Sequence, residues 1–385
     1  MRRAVLRPVV ALVAATAPAA ADNLVVDRAI VVGRVDDGTW TDAATEARID
    51  QKVQLAAIVV GHRGKRRVVL APSDIDALML DGRKVPARER DTLDAKVTWS
   101  TVEPHGFRTS KAANGATSEF YSNVSTEPKT FGRWLGYDRI DYFEHAFTTS
   151  GDSRIISATI APSEAGAAQV PGLGTLRYKV DVALADGTRI ASPGVEATDS
   201  FGILPSVHRV SVRASDDFIG WLSSYLLVPE VFGSAGPGKN HQTERFTGAD
   251  CADVMVGAVR RAGAKVPYTN VAGLPTYAKA IAAATELDDK GTPAATISGV
   301  KPGDLIRIDY GGELRHHTPR DWDHVAALWE DRSDPDGPQK GAADGKLDGF
   351  DLVIHVGHPR LVIEPLARQS PATIDVLRWR DDRRR

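Results

Sequence analysis

The chain holds one cysteine, Cys251, among 385 residues. A lone thiol forms no internal disulfide, so in an oxidising compartment it persists either as a small buried hydrophobe or as a nucleophile. After Cys251, apolar residues fall at Val254, Met255, Ala258, Val259 and Ala262, the stripe of an amphipathic helix, and Gly263 follows as a stop. Asp250 or Thr247 can cap the start of this helix. Cys251 then stands in the first turn, where unpaired backbone N–H groups and the positive end of the helix dipole favour a thiolate. Such a sulfur attacks a carbonyl carbon when a nearby base takes its proton. Several histidines follow in sequence: His316, His317, His324, His355 and His358. Three of them would suit zinc, yet no His-Glu-x-x-His or comparable spacing is present, and His316-His317 read as part of a solvated loop.

The run Phe246-Thr247-Gly248-Ala249-Asp250-Cys251-Ala252-Asp253-Val254 resembles the Asp-Cys-Ser-Gly signature of NlpC-type cell-wall cysteine peptidases. Lys301-Pro302-Gly303-Asp304-Leu305-Ile306 is similar to the strand start that this family places next. His324-Val325-Ala326-Ala327-Leu328-Trp329 is similar to its histidine strand, and Phe350-Asp351-Leu352-Val353-Ile354-His355 to the strand ending in a third polar residue. The resemblance covers a little under half the chain. It implies a papain-like domain with Cys251 as nucleophile, His324 as base and His355 as the residue that orients it. Backbone N–H groups at the helix start, that of Cys251 included, would hold the oxyanion, and no metal or other cofactor would be needed. Its implied reaction is amide hydrolysis in peptidoglycan stem peptides.

The chain departs from that family where substrate would be read. Ala252 and Asp253 replace the usual Ser-Gly, and Glu230 stands where the upstream segment has tyrosine, so Glu230, Asp250, Ala252 and Asp253 are the candidate substrate-binding residues. A long loop, Glu330 to Gly349, separates the two histidine strands. Its Asp344-Gly345-Lys346-Leu347-Asp348-Gly349 faintly resembles a calcium loop, but lysine at the third ligand position and His355 at the twelfth speak for a solvated turn. A transglutaminase-like or CHAP-type amidase shares the Cys-then-His order, and a secreted wall-binding protein without activity remains the reading from another class.

The elements that must position these residues fall into two groups. From 22 to 212 the chain reads as a mostly β, sandwich-like domain, with β-branched runs at Val53–Val60, Val68–Leu70, Ala95–Trp99, Ile155–Ile160, Leu176–Leu184 and Val207–Val212. Asp186-Gly187 marks a hairpin turn, and Pro104 to Lys129 reads as one long loop. From 213 to 385 an α+β cysteine-hydrolase domain is predicted, N-terminal helices on an antiparallel sheet. Its first helix is marked by Phe218, Trp221, Leu222, Tyr225 and Leu226, ending before Pro229.

Residues 1–21 have the three parts of a secretory signal: Arg2, Arg3 and Arg7, an apolar stretch from Val9 to Ala17, and small residues at Ala19-Ala20-Ala21. Export to the periplasm or outside, with cleavage after Ala21, is the expectation. The rest of the chain lacks the ~20 apolar residues of a membrane helix. A net charge of −2 gives no field for holding a nucleic acid, and the basic run Arg378 to Arg385 reads as a solvated tail. The expected partner is a peptidoglycan peptide or other amide, with wall anchoring as one role for the β domain.

Overall fold

A computed structural model of the chain describes residues 23–106, 120–149, 153–164, 169–238, 241–311 and 322–380. The predicted leader, the end of the basic tail, and His316 and His317 lie outside them. The architecture is α+β, with a largely β N-terminal region and a smaller helix-bearing C-terminal region.

In the N-terminal region β1 (Leu24–Val35) pairs antiparallel with the long β2 (Val53–Arg63), whose other edge is taken by β3 (Arg66–Ala71) along Val59–Arg63 and by Ile155–Ser157 along Gln54–Ala56. Leu55 to Val59 of β2 are fully buried in succession, as expected of a central strand covered on both faces. A second sheet is built on β4 (Ala95–Pro104), β5 (Tyr142–Phe147), β6 (Gly174–Leu184) and β7 (His208–Arg213), in the order β5-β4-β6-β7. Asp186-Gly187 turns β6 into a short return strand, Arg189–Ala191, with Gly187 at φ +88°. Alternate residues of β1, β2, β4 and β6 meet in one core that includes Leu55, Trp99 and Val180.

The C-terminal region begins with α1 (Phe218–Ser223), α2 (His241–Arg245) and α3 (Cys251–Arg261). α1 stops earlier than the apolar spacing suggests. The Ser223 and Ser224 hydroxyls bond back to the carbonyls of Gly220 and Trp221, and Leu227 adopts φ +72°, so Tyr225 and Leu226 are buried from a turn. An antiparallel sheet follows: β8 (Ala278–Leu287), β9 (Leu305–Asp309), β10 (His324–Glu330), β11 (Leu352–Val356), β12 (Leu361–Pro365) and β13 (Ala372–Trp379), in the order β8-β13-β9-β10-β11-β12. Leu305, Val325, Ala327 and Ile354 share one core with α3, whereas Ile306, Ile308, Ala326 and Val353 belong to a second core on alternate positions.

The start of the basic run is not a tail. Arg378 and Trp379 end β13, and Arg378 Nη2 donates to the buried Asp304 carboxylate at 2.6 Å. Nor is Pro104 to Lys129 a single loop, because Tyr121–Ser122 pairs parallel with Val231–Phe232 and so crosses from one region to the other. The larger core is continuous across both regions, from Val31 and Trp99 to Met255 and Leu305. Glu46 joins them as well, lying 2.6 Å from both Arg209 and Arg261. Burial pushes its carboxyl up, but the two guanidiniums outweigh that and hold it below the usual range.

Candidate active site around Cys251

Cys251 opens α3 as the sequence predicts, and Asp250 is the N-cap. The cap is unusual in where its oxygens go. Asp250 Oδ1 accepts the Cys251 N–H at 2.6 Å, and Oδ2 accepts the N–H of Gly233 at 2.7 Å. The Cys251 N–H expected to hold an oxyanion is therefore already engaged, a departure from the sequence-based expectation. Asp253, one turn on, accepts from the Ser234 hydroxyl at 3.1 Å and the Ala235 N–H at 2.6 Å. Together these carboxylates fasten the 233–235 turn to the helix start.

Charge is unfavourable around the sulfur. Burial pushes the thiol well above its ordinary pKa, and the Asp250 carboxylate, which also accepts a hydrogen bond from the thiol, pushes it further. Burial and the neighbouring Asp250 raise Asp253 to about 7. The helix dipole acts in the opposite direction but over its first turn is worth only about 1 kcal/mol, less than desolvation of a buried anion. Cys251 is thus a neutral thiol at rest. Its alkylation by iodoacetamide should be slow at pH 7 and climb about tenfold per pH unit up to pH 9 with no plateau, because the thiolate fraction grows at that rate below the pKa. A plateau near pH 7 would show a preformed thiolate and contradict this electrostatic picture.

His324 begins β10 and His355 lies near the end of β11. Cross-strand pairing sets His324 opposite Ile308 and His355 opposite Ala326. Both belong to the face of Ile308 and Ala326, the second core. Their rings meet edge to face, with Nε2 of His324 2.9 Å from Nδ1 of His355. Nε2 of His355 is 3.0 Å from Glu364 Oε1, and Glu364 in turn accepts from Gln369 Nε2 at 2.7 Å. The Gln369 carbonyl oxygen accepts from the Tyr310 hydroxyl.

The acceptor at the end of this chain sets one of its protons. The hydrogen bond from His355 holds Glu364 below the usual carboxylate range, so Glu364 is an ionised acceptor and His355 carries its proton on Nε2. His324 Nε2 and His355 Nδ1 share one proton, and with that proton on His324 Nε2 the lone pair of His324 stands on Nδ1. Burial and the neighbouring His355 lower the His324 pKa to about 3, so the ring is a neutral base across the physiological range. Gln369 Nε2 also lies 3.1 Å from His355 Nε2, but two donors face one another there, and the amide proton goes to Glu364.

Tyr310 borders both the cleft and His324. Its ring stacks against His324 with centroids 6.2 Å apart and planes at 29°, and it lines the same cleft as Cys251. Burial is the largest cause that pushes its phenol up. No hydrogen bond joins the thiol to His324 among the described residues, and His324 does not line the cleft. Thus Asp250, Cys251, Ala252 and Asp253 come together on one wall, while His324 and His355 lie on the face of the sheet that carries the second core, opposite the face packed on α3, and Tyr310 borders both groups. Glu230 is elsewhere. It lies 2.6 Å from His358 Nδ1 and is not among the cleft-lining residues.

The cleft is large, ≈ 980 Å³. Its lining includes Val124, Phe131 and Trp134 of the N-terminal region together with Phe232, Tyr268 and Trp322. Sequence reasoning left out Tyr310, Glu364 and Gln369. The only sequence signal is for Glu364: it lies two residues from Val362, the partner of His355, and so on the same face of the hairpin.

Among the described residues no group of three or more His, Cys, Asp and Glu side chains is gathered to hold an ion. In the 331–349 loop the carboxylates serve their own backbone: Asp331 accepts from the N–H groups of Asp344 and Gly345, and Asp344 from that of Lys346.

Comparison of the chain with protein-family models, curated proteins and solved structures returns no match.

Proposed function

We propose that the chain is a thiol-dependent amide hydrolase, of the papain-like NlpC type that the sequence motifs resemble, with Cys251 as nucleophile and His324 as base. The observation that carries this reading is the sole thiol opening from the first turn of a helix onto a large cleft, together with a hydrogen-bonded His324-His355-Glu364 chain whose His324 ring stacks on the cleft-lining Tyr310. Because thiol and imidazole are both neutral at rest, activation accompanies substrate binding: the Tyr310 ring shifts and His324 Nδ1 takes the thiol proton as sulfur attacks the carbonyl carbon. The tetrahedral adduct collapses to a thioester, and the leaving amine departs with the proton from Nδ1. Water then attacks the thioester, giving its proton to Nδ1, and the acid leaves as the proton returns to sulfur.

The two-sheet region belongs to this site, since Val124, Phe131 and Trp134 line its cleft. Its further role in wall anchoring, export of the chain, and a stem peptide as substrate stay expectations of the sequence reading. No helix among the described residues is long and apolar enough to cross a membrane.

A second reading has its own support. The raised thiol pKa and the N–H of Cys251 tied to Asp250 suit a binding protein that uses the same cleft without turnover. Acylation separates the two. Incubation with para-nitrophenyl acetate should leave one acetyl group on Cys251, located by peptide mass spectrometry, and the adduct should be absent when His324 is replaced by alanine. An unmodified Cys251, or acetylation indifferent to His324, would leave the binding reading standing.

A further inference from the structure

We propose that the Cys251 cleft accepts an uncharged, aryl-bearing acyl group and rejects acyl groups that end in a carboxylate; the turnover part of this rests on the hydrolase reading above.

The lining is aromatic on both sides. Phe131 and Phe232 face each other across 5.5 Å with ring planes at 44°, and Phe131 keeps 54% of its surface exposed at the mouth. Trp134 leans edge-on against Tyr137 with centroids 4.9 Å apart. An exposed aromatic side chain beside a concave apolar surface is the usual setting for a flat apolar ligand group.

That wall is held in place before any ligand arrives. Asn123, fully buried, donates to the Gly233 carbonyl at 3.0 Å and to Gln242 Oε1 at 2.5 Å, and accepts from the Asp138 N–H at 2.6 Å. The 233–236 turn presses directly on it. A Cβ at Gly233 would meet Val124 at 2.9 Å, and one at Gly236 would meet Trp134 at 2.9 Å, both glycines having positive φ. The cleft is therefore preorganised, and aromatic ligand area is not spent on ordering loops.

The described ionisable lining is acidic. Asp250, Asp253 and Asp323 line the cleft, while no Lys, Arg or His does so among its described lining residues. Each of the three carboxylates is committed to a backbone N–H, of Cys251 and Gly233, of Ala235, and of Tyr310. Among the described lining residues a ligand carboxylate would find no cation to replace its lost hydration. The acidic glutamyl moiety that the family resemblance implies is thus the group this cleft suits least.

The test is a series of para-nitrophenyl esters of acetic, phenylacetic and glutaric acid. kcat/KM for phenylacetyl should exceed that for acetyl by about tenfold or more, with glutaryl lowest. Trp134→Ala should shrink the phenylacetyl-to-acetyl ratio, chiefly through KM. A flat series, or a preference for glutaryl, overturns the proposal. A second arm does not need turnover: N-benzyl phenylacetamide is titrated into Cys251→Ser, followed by tryptophan fluorescence, with the monobenzylamide of glutaric acid as the acidic comparison. Binding of the neutral amide alone, without acylation by any ester, keeps the ligand class and rejects the hydrolase reading. Acylation by acetyl with no binding of the neutral amide does the reverse.

Discussion

Replacing Cys251 by alanine is expected to lower amide and ester turnover by about 10³-fold or more, since the covalent route is lost altogether. The substitution is a mild one structurally. It removes a sulfur from a half-buried helix start and leaves the Asp250 cap with both backbone donors. Folding, followed by circular dichroism and Tm, should therefore change little, which ties a loss of rate to chemistry. Turnover that survives in the alanine variant would mean that the cleft works without the thiol, and the proposed mechanism would fail.

His355 offers the second large effect, because its two substitutions should part company. Leucine removes the acceptor for His324 Nε2–H, frees the His324 tautomer and leaves Glu364 facing an apolar side chain. A loss of about 10²-fold or more in kcat is expected, in line with removal of an orienting partner. Asparagine can set its amide oxygen close to where Nδ1 of His355 lies, 2.9 Å from His324 Nε2. It should keep kcat within about tenfold of the parent. Equal losses for leucine and asparagine would show that His355 supports the fold and not the tautomer. Stability alone cannot mimic this pattern, so kcat should be read beside Tm for both.

How much of this was legible in the sequence differs from element to element. The Cys251 helix was, because an eleven-residue helix with a full apolar stripe and a following Gly263 is specified by local spacing. The strands holding His324 and His355 were reached through the family resemblance, which implies a polar residue at the start of one and at the end of the next. The partners of those histidines were not. Glu364, Gln369 and Tyr310 reach the site through strand register and through the turn after β12, and register is settled by nonlocal pairing. The wall of the cleft was misjudged for a related reason. Residues 121–138 have little periodicity of their own, and their shape comes from bonds to Gly233, Gln242 and each other. α1 was overextended because apolar spacing continues where two serines turn the backbone aside. The oxyanion expectation failed on one carboxylate, since an N-cap aspartate competes for the same N–H that an oxyanion would need.

The strand pair Tyr121–Ser122 with Val231–Phe232, together with the buried Asn123, has a consequence for how the chain can be handled as a set of parts. The boundary near residue 212 is a change of secondary-structure content, not a seam. A fragment carrying only the helices and the last sheet would keep Cys251 and both histidines yet bring half a vessel, with Phe232 uncovered and the face of Met255 and Val259 cut from the core it shares with Trp99. Recombining this chemistry with another β region would therefore mean transplanting the Asn123 segment with it, since the pocket is a joint product of distant stretches of one polypeptide.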